Sequence, residues 1–191
     1  MSLDPQKSLQ VIEEMILQTR TNFQENGHLY LIWGYSIAVI ALLHAAIQWF
    51  TDFPYHFMVW WLCIIPGIIY SVMIRKRSSS QNVSSYITKT MKWLWFSVLA
   101  FLIFSLVLGA VAFNYRIVYP FIIMIIGFGS LVSGGILSYR PLITGGLIGF
   151  SIGVLSAFFS NEIQLILLAF AITSAYTIPG HMLKANPLDH A

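Results

Sequence analysis

The stretch that decides the fold of this chain reads IVYPFIIMIIGFGSLVSGGILS (117–138), then YRP (139–141), then LITGGLIGFSIGVLSAFF (142–159). Neither apolar run contains Asp, Glu, Lys or Arg. Because a helix rises about 1.5 Å per residue, about 20 apolar residues cross the roughly 30 Å hydrocarbon core of a bilayer. The two runs therefore predict two membrane-spanning helices, which the tight turn at 139–141 joins as an antiparallel hairpin.

The whole chain has the composition of a polytopic membrane protein. Of its 191 residues, 58% are hydrophobic and 9% are charged, whereas soluble domains carry about 25% charged residues. This excludes an ordinary soluble globular protein and a disordered chain. Ten Lys and Arg against seven Asp and Glu are too few for a nucleic-acid binder, and the single cysteine, Cys63, excludes a disulfide scaffold.

Four further apolar stretches accompany this pair, which predicts an all-α fold: a six-helix transmembrane bundle made of three antiparallel hairpins. Continuous apolar runs exclude a transmembrane β-barrel, whose strands alternate apolar and polar residues. The membrane domain, 28–184, lies between a cytoplasmic segment, 1–27, and a short cytoplasmic tail, 185–191. The predicted spans are Leu29–Trp49, Phe57–Ile74, Trp93–Phe113, Ile117–Ser138, Leu142–Phe159 and Ile163–Leu183.

Basic residues indicate the orientation, because they are enriched in cytoplasmic connections. With the N-terminus inside, nine of the ten Lys and Arg residues lie on the cytoplasmic side, and Arg116 alone lies outside. The six tryptophans then fall near span ends, where indole rings favour the headgroup level. The sequence therefore predicts a multi-pass protein with both termini in the cytoplasm.

Residues 4–26 carry an apolar stripe at helical spacing, which predicts an amphipathic helix on the cytoplasmic face. Segment 1–27 is acidic, with four acidic residues against two basic ones, whereas helices that lie on anionic lipid are normally basic. We therefore expect the stripe to dock on protein: the basic loop 75–92 of the same or another copy, or a different protein. A helix lying on the lipid surface is the alternative. The stripe consists of Leu9, Ile12, Ile16 and Phe23.

Rows of small residues in the fourth and fifth predicted spans indicate close helix packing, since helices in lipid associate through backbone contact. One interpretation is packing of these two spans within one chain, and the other is a homodimer interface. The rows are Gly145, Gly149 and Gly153 in the fifth span and Ser130, Gly134 and Ser138 in the fourth.

Two proline–glycine pairs interrupt predicted spans. Pro66-Gly67 lies in the middle of the second span, and Pro179-Gly180 lies near the cytoplasmic end of the sixth. Proline removes a helical hydrogen bond and leaves a carbonyl for another partner. Each pair is expected to kink its helix, either for packing alone or as a gate that lines a transport site.

Histidines are the candidate polar groups of the membrane domain. No Asp, Glu, Lys or Arg lies in the central part of any predicted span, although ion-coupled transporters normally use such a group. His44 comes nearest, and it is either a polar site or a neutral histidine bonded to a neighbouring hydroxyl or water. His44 and His56 lie near the outer face, and His28 and His181 near the inner one. Two histidines per face predict no metal site, and a paired axial haem is the one cofactor left open.

Several short motifs resemble those of an uncharacterised family of small six-helix inner-membrane proteins found in Bacteroidetes, and the resemblance extends over nearly the whole chain. The resemblance implies the fold and a bacterial cytoplasmic (inner) membrane, with Pro179-Gly180-His181 as the signature, and it implies no catalytic or binding residues. The motifs are Leu31-Ile32-Trp33-Gly34, Ser133-Gly134-Gly135, Pro141-Leu142 with Gly145-Gly146, and the run Ile178-Pro179-Gly180-His181-Met182-Leu183-Lys184.

The sequence lacks the common catalytic motifs. It has no GxSxG elbow, no HExxH and no Walker lysine loop, so we expect no enzyme. The favoured function is a non-enzymatic membrane module that forms a homo-oligomer or docks a partner protein through its N-terminal helix. The alternative is a transporter or channel for a small neutral or weakly polar solute.

Overall fold

The computed structural model of the chain describes residues 27–51, 53–77, 86–112 and 115–185, and every regular element within these ranges is helical. The predicted N-terminal helix with Leu9, Ile12, Ile16 and Phe23 lies outside the described residues, as do residues 186–191 of the tail. In chain order the elements are α1 (Gly27–Phe50), a 3-10 helix (His56–Cys63), α2 (Ile64–Arg77), α3 (Tyr86–Val111), a 3-10 turn (Tyr115–Ile117), α4 (Val118–Ile136), α5 (Arg140–Ser156), α6 (Asn161–Ile172), a π-helical turn (Thr173–Thr177) and α7 (Ile178–Ala185).

These helices confirm the predicted all-α fold over the described ranges, and each of the six predicted spans coincides with one helical segment. Two of the segments, His56–Ile69 and Arg140–Ser156, are apolar but shorter than 18 residues. The other four are long and apolar enough to cross a membrane: Tyr30–Phe50, Lys89–Val111, Tyr115–Ile136 and Asn161–Ala185.

The two proline–glycine pairs lie close to the points where the helix type changes. Pro66 lies in the first turn of α2 and not in the middle of one α-helix, because the second span changes from 3-10 to α-helix at Ile64. The sixth span is not broken at Pro179. It widens into the π-helical turn just before this proline and then continues as α7.

The helices differ in how deeply they are built into the bundle. The most extensive contact joins α4 with α5, the two helices on either side of the turn at 139–141. The sixth span (α6, the π-helical turn and α7) packs against α1 on one side and α5 on the other. By contrast, α3 packs mainly on α4, and α2 makes few contacts with α1. Four spans therefore form the core, and α2 and α3 lie at its edge.

Large apolar side chains point outward from the peripheral helices. A soluble protein rarely exposes such a continuous apolar surface. The exposed Ser97 hydroxyl within it donates to the carbonyl of Trp93 in its own helix, and the buried Ser105 hydroxyl of α3 donates to that of Phe101. Such bonds satisfy a hydroxyl without water. The outward-facing residues include Ile64, Ile65, Ile68, Ile69 and Val72 on α2 and Phe96, Leu99, Phe101, Ile103, Phe104, Leu106 and Val107 on α3.

Candidate functional site

The glycine row of α5 is buried and serves two neighbours within the chain. A Cβ atom at Gly145 would overlap the carbonyl group of Ser174 in the π-helical turn. At Gly153 a Cβ would lie 2.6 Å from the backbone nitrogen of Met124 on α4. Gly149 lies between the two, with Ala171 and Gly127 each 3.5 Å from its built Cβ. The row therefore packs α5 between α4 and the sixth span.

The row predicted on α4 is only partly present. Ser130 and Gly134 are buried, and a Cβ at Gly134 would lie 2.6 Å from the backbone nitrogen of Ile143 on α5. Ser138 does not belong to this row, because α4 ends at Ile136 and Ser138 is an exposed turn residue. Its φ of 52° places it in the left-handed region, which commonly terminates helices.

The π-helical turn and Pro179 form one structural unit. In an α-helix the proline ring would collide with the carbonyl four residues earlier and would leave it without a donor. That residue is Ala175, and its carbonyl oxygen accepts a hydrogen bond from the Ser130 hydroxyl at 2.9 Å. The Ile178 amide reaches back five residues to the carbonyl of Thr173. The wider turn thus accommodates the proline, and α4 supplies the missing donor.

Thr177, at the end of this turn, carries a buried hydroxyl with no hydrogen-bond partner among the described residues. The residue is 6% exposed, and it lies against Gly34 of α1, where a Cβ would be 2.6 Å from the Thr177 Oγ1 atom. π-helical turns are frequent at functional sites, and a buried polar atom without a partner requires an explanation. This position is therefore a candidate site for a small polar guest.

The beginning of α1 and the end of α7 meet through the two motifs at 31–34 and 178–184. Gly180 lies against α1, where its built Cβ would be 3.1 Å from Leu31. The Tyr35 hydroxyl is 2.7 Å from the Nε2 atom of His181, at the surface. His181, predicted as a possible polar site, thus links α7 to α1. The pairing with Tyr35 was not apparent from the sequence.

His44 lies at the centre of a polar cluster at the opposite end of the bundle. It is 1% exposed, and its Nε2 atom lies 2.7 Å from the Nδ1 atom of His56. The Trp60 indole donates to the Nδ1 atom of His44 at 2.9 Å, and the Tyr119 hydroxyl lies 3.3 Å from the same nitrogen. The expected hydroxyl neighbour is therefore present, and a second histidine and a tryptophan join it.

Sequence reasoning placed His44 and His56 at the same face but missed Trp60 and Tyr119 as partners. Trp60 had a signal, because it lies in the predicted outer belt at the same depth. Tyr119 is 75 residues from His44, and nothing in the spacing links the two. Within the described residues no group of three or more His, Cys, Asp or Glu is placed to hold a metal ion. A haem between the histidines would have to separate nitrogen atoms that here share a hydrogen bond.

A shallow cavity of about 280 Å³ lies at the same end as His44, lined by Arg116, Ser160, Asn161 and Glu162. Gln164, one turn further along α6, is completely buried. Its side-chain amide donates to the Phe159 carbonyl at 3.1 Å, which ties the turn at 157–160 to the helix. The cavity combines one basic and one acidic side chain with amide groups at a helix start.

No protein-family model, curated protein or solved structure matches the chain. The resemblance to the Bacteroidetes inner-membrane family therefore stays a prediction.

Proposed function

We propose that the chain is a six-span protein of the bacterial inner membrane, with both termini in the cytoplasm. Its proposed role is non-enzymatic: it assembles with copies of itself, or docks a partner protein, through residues 4–26. The observation that carries this proposal is the backbone-to-backbone packing of α4, α5 and the π-helical turn, which gives the chain a fixed core.

The membrane location is supported by the outward apolar faces of α2 and α3 and by the four long apolar helices. Exposure of such faces to lipid carries no unfavourable hydration free energy, whereas exposure of an apolar surface of this size to water is unfavourable and promotes aggregation. The orientation rests on the basic residues, nine of ten on one side of the predicted spans.

A scaffold role is supported by the way in which the core helices approach each other. A Cβ at Gly146 would lie 2.7 Å from the Cα of Leu131, and one at Gly127 would lie 2.8 Å from the Cα of Phe150. Backbones this close leave no space for side chains between α4 and α5. Without a hydrophobic drive in lipid, such contacts are what holds helices together. Sliding one helix past the other would lose them, so the core favours a fixed platform.

The proposed assembly surface consists of segment 1–27, the loop 75–92 and the neighbouring helix α2 at the edge of the bundle. The acidic segment 1–27 and the basic loop 75–92 are complementary in charge, and both are predicted on the cytoplasmic side. Because α2 makes few contacts with the core, a second chain can approach this side of the bundle. Docking of the apolar stripe beside the basic loop would then join two copies.

The matched test changes two residues on the stripe and two away from it. Ile12→Asp with Ile16→Asp is expected to abolish assembly, because charges enter the apolar stripe. Gln10→Asp with Gln18→Asp adds the same charges to the opposite side of a helical segment and should leave assembly intact. The molar mass of the purified full chain is measured for both variants, with insertion into the membrane as the control. Equal masses for the two variants would contradict the proposal.

A transporter or channel for a small neutral or weakly polar solute is the second candidate. The observation that favours it is the buried Thr177 hydroxyl without a partner beside the π-helical turn. Single π-helical turns within helices are frequent at functional sites. Thr177→Cys in a Cys63→Ala background distinguishes the two functions. A water-soluble thiol reagent modifies this cysteine if a water-filled path reaches the turn, and it leaves the cysteine intact in a sealed bundle.

A further inference from the structure

The His44 cluster has no part in the proposed assembly, yet its hydrogen bonds fix the protonation of both histidines. The indole of Trp60 can only donate. Because it donates to the Nδ1 atom of His44 at 2.9 Å, this nitrogen carries no proton. A neutral imidazole with a bare Nδ1 carries its proton on Nε2. His44 is therefore the Nε2–H tautomer.

The tautomer of His44 determines the tautomer of His56. The Nε2–H group of His44 points to the Nδ1 atom of His56, 2.7 Å away, so this second nitrogen accepts. His56 is then also a neutral Nε2–H tautomer. The chain of donors runs in one direction, from Trp60 through His44 to His56. His44 thus accepts from Trp60 at Nδ1 and donates to His56 through Nε2.

A further proton has no place in this arrangement. The only bare ring nitrogens are the two Nδ1 atoms, and each is occupied by a donor hydrogen. A proton on His56 Nδ1 would face the N–H of His44, and a proton on His44 Nδ1 would face the N–H of Trp60. Two donors at hydrogen-bond distance repel, so protonation of either ring must separate the pair or expel the indole.

We infer that the His44–His56 pair is a proton-binding switch, and that uptake of a proton releases the segment 53–63 from α1 and α4. The segment carries His56 and Trp60, and the hydrogen bonds to His44 tie it to α1. Its other residues expose large side chains outward, among them Phe53, Tyr55, Phe57 and Trp61. Release would therefore change the outer surface of the protein while leaving the core of α4, α5 and the sixth span in place.

Other titratable and charged groups near the cluster are few. Tyr119 faces His44 from α4, and its hydroxyl is neutral over the pH range at which imidazole titrates. Arg116 and Glu162, before α4 and on α6, line the shallow cavity at the same end. Asp52 is the acidic residue of the connection in the sequence and lies outside the described residues.

The sign of the pH dependence follows from which form binds the proton. Only the released form accepts one at a bare Nδ1 atom, so acid favours release. An imidazole in water is protonated at about pH 6.5. Closure is therefore favoured most above this midpoint, and below it each proton that the released form takes up lowers the equilibrium constant for closure about tenfold per pH unit.

The test compares hydrogen exchange of the peptide 53–63 in the full chain, held in lipid nanodiscs, at pH 8 and pH 5. The matched variant is His56→Asn, because the Oδ1 atom of asparagine accepts the His44 bond in place of Nδ1 but does not titrate. Comparison at the same pH removes the intrinsic pH dependence of exchange. Wild type and variant are expected to agree at pH 8, and at pH 5 the wild type is expected to exchange at least about tenfold faster. Equal rates at both pH values would overturn the switch.

A measurement on the wild type alone keeps the inference testable if His56→Asn does not fold. The ¹⁵N chemical shifts of the histidine rings distinguish the two neutral tautomers and the charged form. At pH 8 the Nε2–H tautomer is expected for both His44 and His56. An Nδ1–H tautomer at His44 would overturn the donor chain. Trp60→Phe removes the donor to Nδ1, and it should therefore let His44 take up a proton while the pair stays in contact.

Discussion

The hydroxyl of Ser130 on α4 donates a hydrogen bond to the carbonyl oxygen of Ala175, the residue four positions before Pro179. The proline thus removes a bond from its own helix, and a neighbouring helix replaces it. In lipid an unsatisfied carbonyl is costly, so this one contact links the irregular part of the sixth span to the most tightly packed helix pair. It explains how a proline is tolerated late in a buried helix.

Replacement of Ser130 by alanine should destabilise the fold by about 1 kcal/mol, because interhelical hydrogen bonds in membrane proteins average about 0.6 and reach about 1.7 kcal/mol. The Ala175 carbonyl loses its donor in this variant. Unfolding is measured in detergent or bicelles, with Ser151→Ala as the control, since Ser151 is exposed and bonds its own helix. In a Pro179→Ala background the cost of Ser130→Ala should fall, because residue 179 then carries an N–H. An unchanged cost would contradict the assignment.

Two glycines, Gly145 in α5 and Gly135 near the end of α4, should respond differently to replacement by alanine. A Cβ at Gly145 would overlap the Ser174 carbonyl, whereas a Cβ at Gly135 meets nothing within 4 Å. We expect Gly145→Ala to destabilise by about 1–3 kcal/mol through overpacking and Gly135→Ala to be neutral or slightly stabilising through helix propensity. Thermal unfolding of both variants decides this. Similar midpoints would show that the α5 row is not in contact with the π-helical turn.

Thr177→Val tests whether the buried hydroxyl forms a hydrogen bond to a bound guest or a water molecule. Valine has nearly the same shape and removes an oxygen that has no partner among the described residues. If the hydroxyl is an uncompensated polar group, its removal should stabilise the protein by about 1–2 kcal/mol. A bound guest or a required water predicts the opposite sign. The free energy of unfolding of the two forms is the measurement, and a loss of stability would favour the transport function.

Two exposed serines at opposite ends of α5 test the orientation. Ser138 precedes α5 and Ser160 follows it, so the proposed topology places the first inside and the second outside the cell. In a Cys63→Ala background, a membrane-impermeant thiol reagent should modify Ser160→Cys in intact cells. Ser138→Cys should react only after permeabilisation. The reverse pattern would invert the whole topology.

The sequence predicted the helices well and their irregularities poorly. Apolar run length fixes where a span can lie, which is why all six predicted spans coincide with helices. Pro179 predicts a lost hydrogen bond, but the donor that replaces it is Ser130, which lies 49 positions earlier in the sequence. The local helical pattern does not contain this contact.

The candidate sites show the same division. The glycines of α5 are predictable because small residues in membrane-spanning helices mainly allow close packing of helix backbones. Ser138 was misplaced because the row was extended past the end of α4, where the chain turns with a positive φ. The partners of His44 come from the 3-10 helix and from α4. Such long-range polar contacts have no periodicity, so only the structure shows them.

The most direct test of the proposed function is native mass spectrometry of the full chain, released gently from its own host membrane. The account predicts a complex of two or more copies, or of the chain with a defined protein partner, that is lost in the Ile12→Asp and Ile16→Asp double variant and kept in the Gln10→Asp and Gln18→Asp control. A single chain without a partner would contradict it. A reproducible small-molecule adduct on that single chain would support the transport function instead.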